Sequence, residues 1–550
     1  MVTRRIIRGL IAYPLLVVGA VVFSIPFAWM ASTSVKVDRE LFAGDLSFVP
    51  ATPNPRALSP YVDDTYYPAP AKTAREQDIL AGLAGWLQAS GYPLPEDIDQ
   101  VEARRQIVRG LYDRLSRTLP ENVWNGPVAG VLKEADRQVT PAMIGEVFAN
   151  IHRRFSLGQI RARSIDLEDE ELGAGEPYSQ RLENQTPRVA RLSDRQEKAL
   201  PYASVDYDFN QGDTVVLSRT FRLGYRADKL QRIQLYFRPD DTWHELRLTV
   251  EKGGVRYVAR KPVPLANFNW GAATWQYPGP DDQSTKIKTW VLLDEESRSP
   301  SYVSDPHEVK LTLELRRSSP ARAWGDKLRM NYDRVLDYIP FWRYLATSLF
   351  LVILNVVLTL LSCSLIAYSF ARLNWPGRDF CFLLMLATMM IPGQVMMIPH
   401  FLIWKWLGFY NTLTPLWLGS ALGNAFFIFL LRQFLKGVPR DLEDAARIDG
   451  CGFLRIYWHI MLPLIKPSLA AIAIFTFMGT WNDFMGPLLY VADQRLYPLA
   501  FGLYAFSVQV GNNPLLTMAG SLLMTVPVIL IFFFAQKYFI QGVTLTGMKG

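Results

Sequence analysis

Long apolar stretches on either side of a polar region limit what this chain can fold into. A helix needs about 20 predominantly apolar residues to cross the hydrocarbon core of a bilayer. Such stretches lie at 10–31, 345–370, 380–399, 416–435, 468–490 and 515–539. They predict six membrane spans, with the polar residues 37–340 between the first and the second. A cleaved signal peptide is the alternative for the first stretch, but that stretch is long for a signal core and no clear small-x-small site ends it.

Basic residues beside the apolar stretches predict the direction of each span. Lysine and arginine concentrate on the cytoplasmic side of membrane proteins. They stand before the first stretch, between the second and third, after the fourth and near the C-terminus: Arg4, Arg5, Arg8, Arg372, Arg378, Lys436, Arg440, Lys537 and Lys549. All of these positions agree with one alternating topology. We therefore expect both termini in the cytoplasm and residues 37–340 on the opposite side of the membrane.

The charge and the cysteine content argue against several classes of function. The net charge is +7 at pH 7, but much of the excess lies beside the spans, where membrane orientation explains it better than nucleic-acid binding. The three cysteines, Cys363, Cys381 and Cys451, all lie outside the polar region. No disulfide framework is therefore expected in that region. The five histidines are scattered without ligand spacing, so no metal site is predicted.

The polar region is predicted to contain a linker, a helical part and a strand-rich part. Residues 37–70 are the linker, which becomes proline-rich after residue 50. In 71–200, apolar residues recur at three- and four-residue spacing, and Thr140 is placed to cap one of the helices. In 201–325, segments such as "RIQLYF" and "EVKLTLELRR" alternate, and "EKGGVRYV" is typical of a hairpin. These patterns predict an α+β domain whose second part is an antiparallel β-sandwich.

Four tryptophans in the strand-rich part are candidate docking contacts: Trp243, Trp270, Trp275 and Trp290. Aromatic side chains can stack on sugar rings or contact a partner protein, but they are equally common in a sandwich core. Asp240–Asp241 and Asp281–Asp282 are adjacent carboxylates that favour turns. They do not make the pair that converges across a hydrolase cleft. No catalytic residue is assigned.

Three polar residues in or beside the spans are candidates for a translocation path or gate: Asn424, Asn482 and Asp483. A carboxylate inside a membrane is a functional candidate by default. Asp483 lies near the outer end of its span, where burial costs less. A structural role, in which Asp483 caps or pairs at the interface, is therefore the favoured alternative.

A patterned segment, "DLEDAARIDGCGFLRIYWHIMLPLIKP" at 441–467, separates two of the apolar stretches. Pro439 and Asp441 are typical of a helix start with acid in its first turn. Gly450 is expected to end that helix and to allow a turn into a second one. A stripe from Phe453 to Ile460 then forms the buried face of this second helix. The alternative is a pair of amphipathic helices that only lies on lipid.

The same segment resembles the EAA loop of the permease subunits of ABC importers. Its family pattern is EAA-x3-G-x9-I-x-LP, and the matching positions are Ala445, Ala446, Gly450, Ile460, Leu462 and Pro463. Arg447 and Asp449 lie within the same loop. Asp444 stands where the family has glutamate, and Glu443 beside it can substitute. The resemblance covers 331–550 and 26–36, through segments such as "AYSFARLNWPGRD" and "WNDFMGPLLY", and it favours the maltose-type second permease of carbohydrate importers.

The resemblance implies a six-helix type I permease core formed by 1–36 and 331–550, with 439–467 as the cytoplasmic loop that couples to an ATPase. It implies a related second permease, two ABC ATPase subunits that bind ATP and Mg²⁺, and a periplasmic solute-binding protein for a sugar. This chain then needs no cofactor, is not itself an enzyme, and lies among the lipids of a bacterial inner membrane. The polar region would be a periplasmic insert beyond the usual family plan. Alternatives are import of another solute such as a polyamine or phosphonate, a membrane sensor, and a membrane-tethered glycosidase.

Overall fold

A computed structural model describes residues 2–42, 47–59, 74–93, 100–151, 154–197, 200–278, 290–511 and 513–544. The chain divides into two compact units. The first unit consists mainly of Met1–Ser34 and Tyr332–Gly550, and the second of Val35–Pro280 and Thr289–Asn331. The division agrees with the predicted contrast between apolar and polar parts.

The described residues of the first unit form helices joined by turns and short irregular segments, without strands. Its helices are α1 (Val2–Thr33), α8 (Pro320–Tyr338, of which the residues from Tyr332 belong here), α9 (Phe341–Arg372), α10 (Arg378–Thr388), α11 (Gly393–Trp406), α12 (Ala425–Gly437), α13 (Asp441–Ile448), α14 (Phe453–Ile456), α15 (Leu462–Leu464), α16 (Lys466–Trp481), α17 (Met485–Tyr490), α18 (Leu499–Gln509) and α19 (Pro514–Thr544). A π-helical turn, Tyr457–Met461, joins α14 to α15.

Four helical segments among the described residues are long and apolar enough to cross a membrane: Tyr13–Thr33, Phe341–Arg372, Leu418–Gly437 and Pro514–Phe533. Two bent helix pairs, Arg378–Thr388 with Gly393–Trp406 and Phe453–Leu464 with Lys466–Trp481, raise the number to six if each pair is one span. The stretch predicted as one span at 380–399 is therefore broken, with an angle of 101° between its two helices. Pro392 explains the break, because a proline disfavours helical backbone at the residue before it.

Polar side chains of α9 hold an irregular segment that precedes α12. Asn355 Nδ2 donates to Leu416 O at 3.1 Å, and the Asn355 side-chain oxygen accepts from the Ser420 hydroxyl. Ser362 Oγ donates to Ser420 O at 2.9 Å. Irregular backbone at membrane depth needs partners of this kind, because lipid offers no hydrogen bonds. The segment predicted as a span from residue 416 thus begins with 3₁₀ turns and becomes an α-helix only at Ala425.

The second unit opens with six helices, and the apolar faces of those after the first form one core. They are α2 (Asp38–Phe42), α3 (Ala74–Ala89), α4 (Gln100–Thr118), α5 (Glu121–Trp124), α6 (Val128–Gln138) and α7 (Pro141–Ile151). The predicted stripes are buried, including Ile79, Leu83, Leu87, Ile107, Leu111, Leu115, Ile144 and Val147. Thr140 caps α7 as predicted, because its hydroxyl accepts a hydrogen bond from Met143 N at 3.2 Å.

The strands begin at Phe155, so the predicted boundary at residue 201 between helical and strand-rich parts is wrong. They are β1 (Phe155–Ser164), β2 (Asp169–Glu171), β3 (Glu183–Asn184), β4 (Ala190–Glu197), β5 (Leu200–Tyr207), β6 (Thr214–Arg222), β7 (Leu230–Arg238), β8 (Glu245–Lys252), β9 (Val255–Ala259), β10 (Val263–Pro264), β11 (Gly271–Gln276), β12 (Val291–Arg298) and β13 (Glu308–Arg316). In β1 an irregularity between Leu157 and Ile160 shifts the register. This shift breaks the two-residue period on which the prediction depended.

The strands form a folded sheet in the order β3-β6-β13-β8-β9-β12-β11-β7-β1-β5-β4. Every pair in this order is antiparallel except β11 and β12, which are parallel. Residues from both halves of the sheet share one buried apolar cluster, as in the predicted sandwich. The predicted hairpin joins β8 to β9 through Gly253 and Gly254, whose φ angles are +55° and +73°. Positive φ at both positions is the conformation that glycine favours.

Two of the four candidate docking tryptophans are buried, and a docking role for them is wrong. Trp275 is fully buried in the sheet core, and Trp243 is only 2% exposed. Trp243 packs in a small cluster with Val37 and Ala323 among others. The alternation of β11 placed Trp275 inward, and an aromatic at such a position fills a core. Trp270 and Trp290 remain partly exposed.

A buried histidine joins the chain entering the strand-rich part to the chain leaving it. His244 Nδ1 accepts from Ser318 N at 3.1 Å, so Nε2 carries the proton and donates to Arg56 O at 2.7 Å. Burial lowers the pKa of His244 to about 4, which keeps the ring neutral in this arrangement. Nearby, the buried Asp240 accepts from the Tyr207 hydroxyl at 2.5 Å, and burial raises the Asp240 pKa to about 6.

Candidate coupling loop

The segment 439–467 folds as the predicted helix–turn–helix. Helix α13 carries three acidic residues in its first turn, Asp441, Glu443 and Asp444, where the helix dipole favours negative charge. At its end, Gly450 N donates to Arg447 O at 3.0 Å and Cys451 N donates to Ala446 O at 2.9 Å. These two bonds make a Schellman motif, with Gly450 in the left-handed conformation at φ +77°. The turn therefore closes on itself before the second helical run, Phe453–Leu464, begins.

The two faces of α13 have different surroundings. Glu443 and Ala446 are buried within the first unit. Asp444, Ala445, Arg447 and Asp449 are exposed. Asp444, which occupies the acidic position of the family pattern, therefore faces outward, whereas Glu443 one position earlier takes the inward place. The two acidic neighbours have different roles.

Glu443 makes a buried ion pair with the last residue of α9. Its Oε1 lies 3.0 Å from Arg372 Nε, and the two side chains are only 5% and 4% exposed. Arg447, one turn further along α13, is 3.9 Å from the other carboxylate oxygen and is half exposed. Arg372 Nη2 also donates to the carbonyl of Leu435 and, at 2.5 Å, to that of Val438, both at the end of α12. One guanidinium at the end of α9 thus contacts the end of α12 and the first turn of α13.

The second helical run is attached to α9 by two tyrosines. The Tyr457 hydroxyl forms a hydrogen bond with Ser364 Oγ at 2.7 Å. Tyr368 donates to Phe453 O at 3.3 Å, and its ring centroid lies 5.4 Å from that of Tyr457. Ile456 and Met461 complete the buried face. The inner side of the loop is therefore packed against α9 of the first unit.

Three predicted positions in the second run need comment. Ile460 and Leu462 are half-buried and Pro463 is exposed. Pro463 lies in the last turn of the helical run, which ends at Leu464 just after the π-helical turn at Tyr457–Met461. Phe453, predicted on the buried stripe, is 55% exposed. It is the first residue of α14, so its side chain projects beyond the packed face.

The outer side of the loop exposes a group of large apolar side chains: Leu442, Ile448, Phe453, Leu454 and Trp458. Ile448 is 86% exposed. Exposed apolar residues that cluster beside charged ones mark interaction surfaces more often than isolated ones do. These exposed apolar residues, together with the exposed Asp444 and Arg447, are the candidate contact residues of the loop.

The candidate path or gate residues have local backbone partners and do not come together with the loop. Asn424 caps α12 by accepting from Phe426 N and Phe427 N at 3.0 and 3.2 Å. Asn482 Nδ2 donates to Met478 O at 2.9 Å, and Asp483 Oδ1 accepts from Gly486 N at 2.9 Å. The helix ends at Trp481, before both residues. For Asp483 this contact agrees with the favoured structural role.

Sequence reasoning missed the residues that hold the loop from the membrane side. Arg372 entered only as a marker of topology, and Ser364 and Tyr368 were simply part of a span. Arg432, near the end of the fourth apolar stretch, is likewise buried, with its guanidinium 3.8 Å from the centre of the Phe382 ring. A basic residue at the end of an apolar stretch has the same sequence signature whether it is solvated or buried. Only its partners in space distinguish the two.

Within the described ranges, no group of three or more His, Cys, Asp or Glu side chains could hold a metal ion. The loop instead brings together one buried ion pair, two tyrosine hydroxyls and an exposed apolar surface.

Comparison with known proteins gives a family match over the same region. Residues 363–545 match the family model of the binding-protein-dependent transport system inner membrane component. The arabinooligosaccharides transport system permease protein AraQ of Halalkalibacterium halodurans is 40% identical over 210 residues, which is 38% of this chain and 75% of that protein. The AraQ protein of Bacillus subtilis is 38% identical over 210 residues, covering 38% and 74%.

Among solved structures, a bacterial ABC transporter involved in the import of the acidic polysaccharide alginate is 28% identical. The match has a TM-score of 0.34 and covers 38% of this chain and 79% of that one. The family assignment depends instead on the sequence relatives, of which three quarters are covered, and on the loop spacing. The chain belongs to the family of binding-protein-dependent transport system inner membrane components.

Proposed function

We propose that this chain is the permease subunit of an ATP-driven importer, and that the loop 439–467 couples an ATPase to the membrane helices. The observation that carries the proposal is the two-sided loop: its inner face is packed on α9 and α12, and its outer face is exposed and apolar. A partner that displaces the outer face therefore also moves α9 and α12, against which the inner face is packed. The six-span count, with each bent helix pair as one span and both termini cytoplasmic, belongs to this proposal.

The energy source lies in partner subunits. The sequence has no "GxxxxGK[ST]" segment to cradle phosphates. Two ABC ATPase subunits, which bind ATP and Mg²⁺, would therefore contact the loops of this chain and of a related second permease. Closure of the ATPases on ATP shifts the population between inward-open and outward-open states. The shift is a rigid-body change of packed helices rather than a chemical step in this chain.

The proposed substrate class is a sugar or oligosaccharide, delivered by a periplasmic solute-binding protein. Its support is the maltose-type sequence pattern and the arabino-oligosaccharide role in the names of two relatives. Asn424, Asn482 and Asp483 remain candidate residues of the path. Another solute class, such as polyamines or phosphonates, is the alternative, and a substrate panel separates it directly.

For the second unit we propose a periplasmic platform that docks or retains the solute-binding protein. Trp270 and Trp290 are the partly exposed aromatic candidates for that contact. Trp270 stacks on Tyr236, with ring centroids 5.1 Å apart and planes 11° apart. Arg232 lies 5.0 Å from the centre of the Trp290 ring. Flat aromatic surfaces next to arginine are typical of protein interfaces.

The platform can be removed at a place that the structure defines. Arg56 and Ser318 bind the same imidazole, that of His244, so their backbones are separated by one ring and two hydrogen bonds. Replacing 57–317 by a short Gly-Ser linker therefore spans a small gap. We expect the shortened chain to keep its ATPase partners and to lose affinity for the solute-binding protein. Unchanged affinity would reject the platform role and leave the permease role intact.

The permease role is tested by purifying the tagged chain with its partners and reconstituting the complex in proteoliposomes. We expect ATP-dependent uptake of an oligosaccharide that requires the solute-binding protein. A complex without ATPase activity and with a ligand-dependent cytoplasmic output would favour a sensor. Release of shorter sugars from the oligosaccharide panel would favour a glycosidase.

A further inference from the structure

Arg372 occupies a junction that the family pattern of the loop does not describe. It is the last residue of α9, it donates to two carbonyls at the end of α12, and it pairs with Glu443 in the first turn of α13. The contacts use different nitrogens: Nη2 reaches the carbonyls and Nε faces the carboxylate. A planar guanidinium suits this arrangement, because its Nη2 donates to the carbonyls while its Nε stays 3.0 Å from the carboxylate, whereas a lysine ammonium is a single point charge on a flexible stem.

The charges alternate along this junction. The C-terminal carbonyls of α12 carry partial negative charge, and Arg372 is positive. Glu443 is negative, and the N-terminal end of α13 is partially positive. Both side chains are almost fully buried, so neither is screened by water as a surface pair would be. If one partner of such a pair is neutralised, the other remains as an uncompensated buried charge.

We propose that the Arg372–Glu443 pair is an internal latch that makes α13 and the ends of α9 and α12 move as one body. This inference rests on the proposed function. In it, Asp444 and the exposed apolar residues receive the push from the ATPase, and the latch passes that push to the two spans. Arg372 and Glu443 are positioning residues, because neither is exposed to a partner.

The neighbouring pair of Arg378 and Asp379 is a matched control. Its Nε–Oδ1 distance is also 3.0 Å, but the two side chains are 27% and 76% exposed. Exposed pairs of this kind contribute little. A difference between the two pairs therefore reports burial and connection rather than the loss of any ion pair near the loop.

The test compares R372K, E443Q, the double variant and D379N in the reconstituted complex. It measures the amount of ATPase retained, ATP hydrolysis with and without the solute-binding protein, and sugar molecules imported per ATP. For R372K and E443Q we expect retained ATPase, hydrolysis that depends less on the solute-binding protein, and sugar per ATP lower by about fivefold or more. D379N should match the wild type. The double variant should be no worse than the poorer single variant, because both act through one pair.

A merely structural role would lower the amount of complex and leave sugar per ATP unchanged. Should E443Q fail to assemble, R372K, which keeps the positive charge, carries the test. Wild-type sugar per ATP in the assembled R372K and E443Q complexes would overturn the latch, as would fully additive losses in the double variant. Absence of ATP-driven uptake by the wild-type complex would instead overturn the proposed function.

Discussion

Gly450 allows a prediction whose magnitude follows from the local geometry. A Cβ added at this position would meet nothing within 4 Å, so steric overlap with neighbours does not contribute. The φ of +77° contributes instead, because a left-handed backbone conformation costs a residue that has a side chain roughly 1–2 kcal/mol. Alanine should therefore weaken the closed turn by about 1 kcal/mol, valine by more because it is β-branched, and asparagine by least.

Amide hydrogen exchange in the peptide 441–456 measures this directly, because exchange reports local opening. A loss of about 1 kcal/mol corresponds to roughly fivefold faster exchange if the protected amides open with the turn. Gly437→Ala is the control, since Gly437 ends the helix α12 and also has nothing within 4 Å. There alanine should slow exchange or leave it unchanged, because it favours helix. Wild-type exchange in Gly450→Val would refute the strain argument.

Two further predictions concern the loop and the second unit. Ala446→Leu should overpack the buried face of α13 and destabilise the chain by about 1–3 kcal/mol even without partners. Ala445→Leu, on the exposed face, should leave the melting temperature of the chain unchanged and weaken ATPase binding. Equal melting temperatures of the two variants would contradict this assignment of the two faces. In the second unit, the lowered pKa of His244 gives a contribution to stability that is complete above pH 6.5 and is lost as the pH falls toward 4. The raised pKa of Asp240 gives the opposite contribution, which is present at low pH and is lost as the pH rises through about 6. Asp240→Asn removes the Asp240 contribution, so the melting temperature of the variant, followed by tryptophan fluorescence, should fall more steeply than that of the wild type between pH 7 and pH 4. Parallel curves for the two proteins would show that His244 and Asp240 do not offset each other.

Local rules predicted the parts of the fold that depend on single residues with strong backbone preferences. Gly253 and Gly254 indicated a hairpin, Gly450 a helix end and Thr140 a cap, and the structure has each of them. The alternation of β7, β8 and β13 was also sufficient, because each of these strands buries one side in a shared core. In all these cases the local preference and the tertiary packing agree.

The missed features depend on partners that are distant in sequence. The irregularity in β1 is stabilised by pairing with β5 and β7, so the start of the strands at Phe155 had no local signal. The inward place of Glu443 rather than Asp444 is set by Arg372, 71 positions earlier in the chain by their numbers. Trp275 was a candidate contact because aromatic residues serve cores and interfaces alike, and only its surroundings assign it to the core.

The central claim is that ATP closure drives sugar import through the two-sided loop. The most direct measurement is sugar imported per ATP in proteoliposomes that contain the assembled complex, with the wild type and Glu443→Gln compared at equal amounts of bound ATPase. The account predicts ATP-driven, binding-protein-dependent import by the wild type and continued hydrolysis with much less import by the variant. Equal import per ATP in the two complexes would contradict coupling through the Glu443 side of the loop, and absence of ATP-driven import by the wild type would contradict the importer function itself.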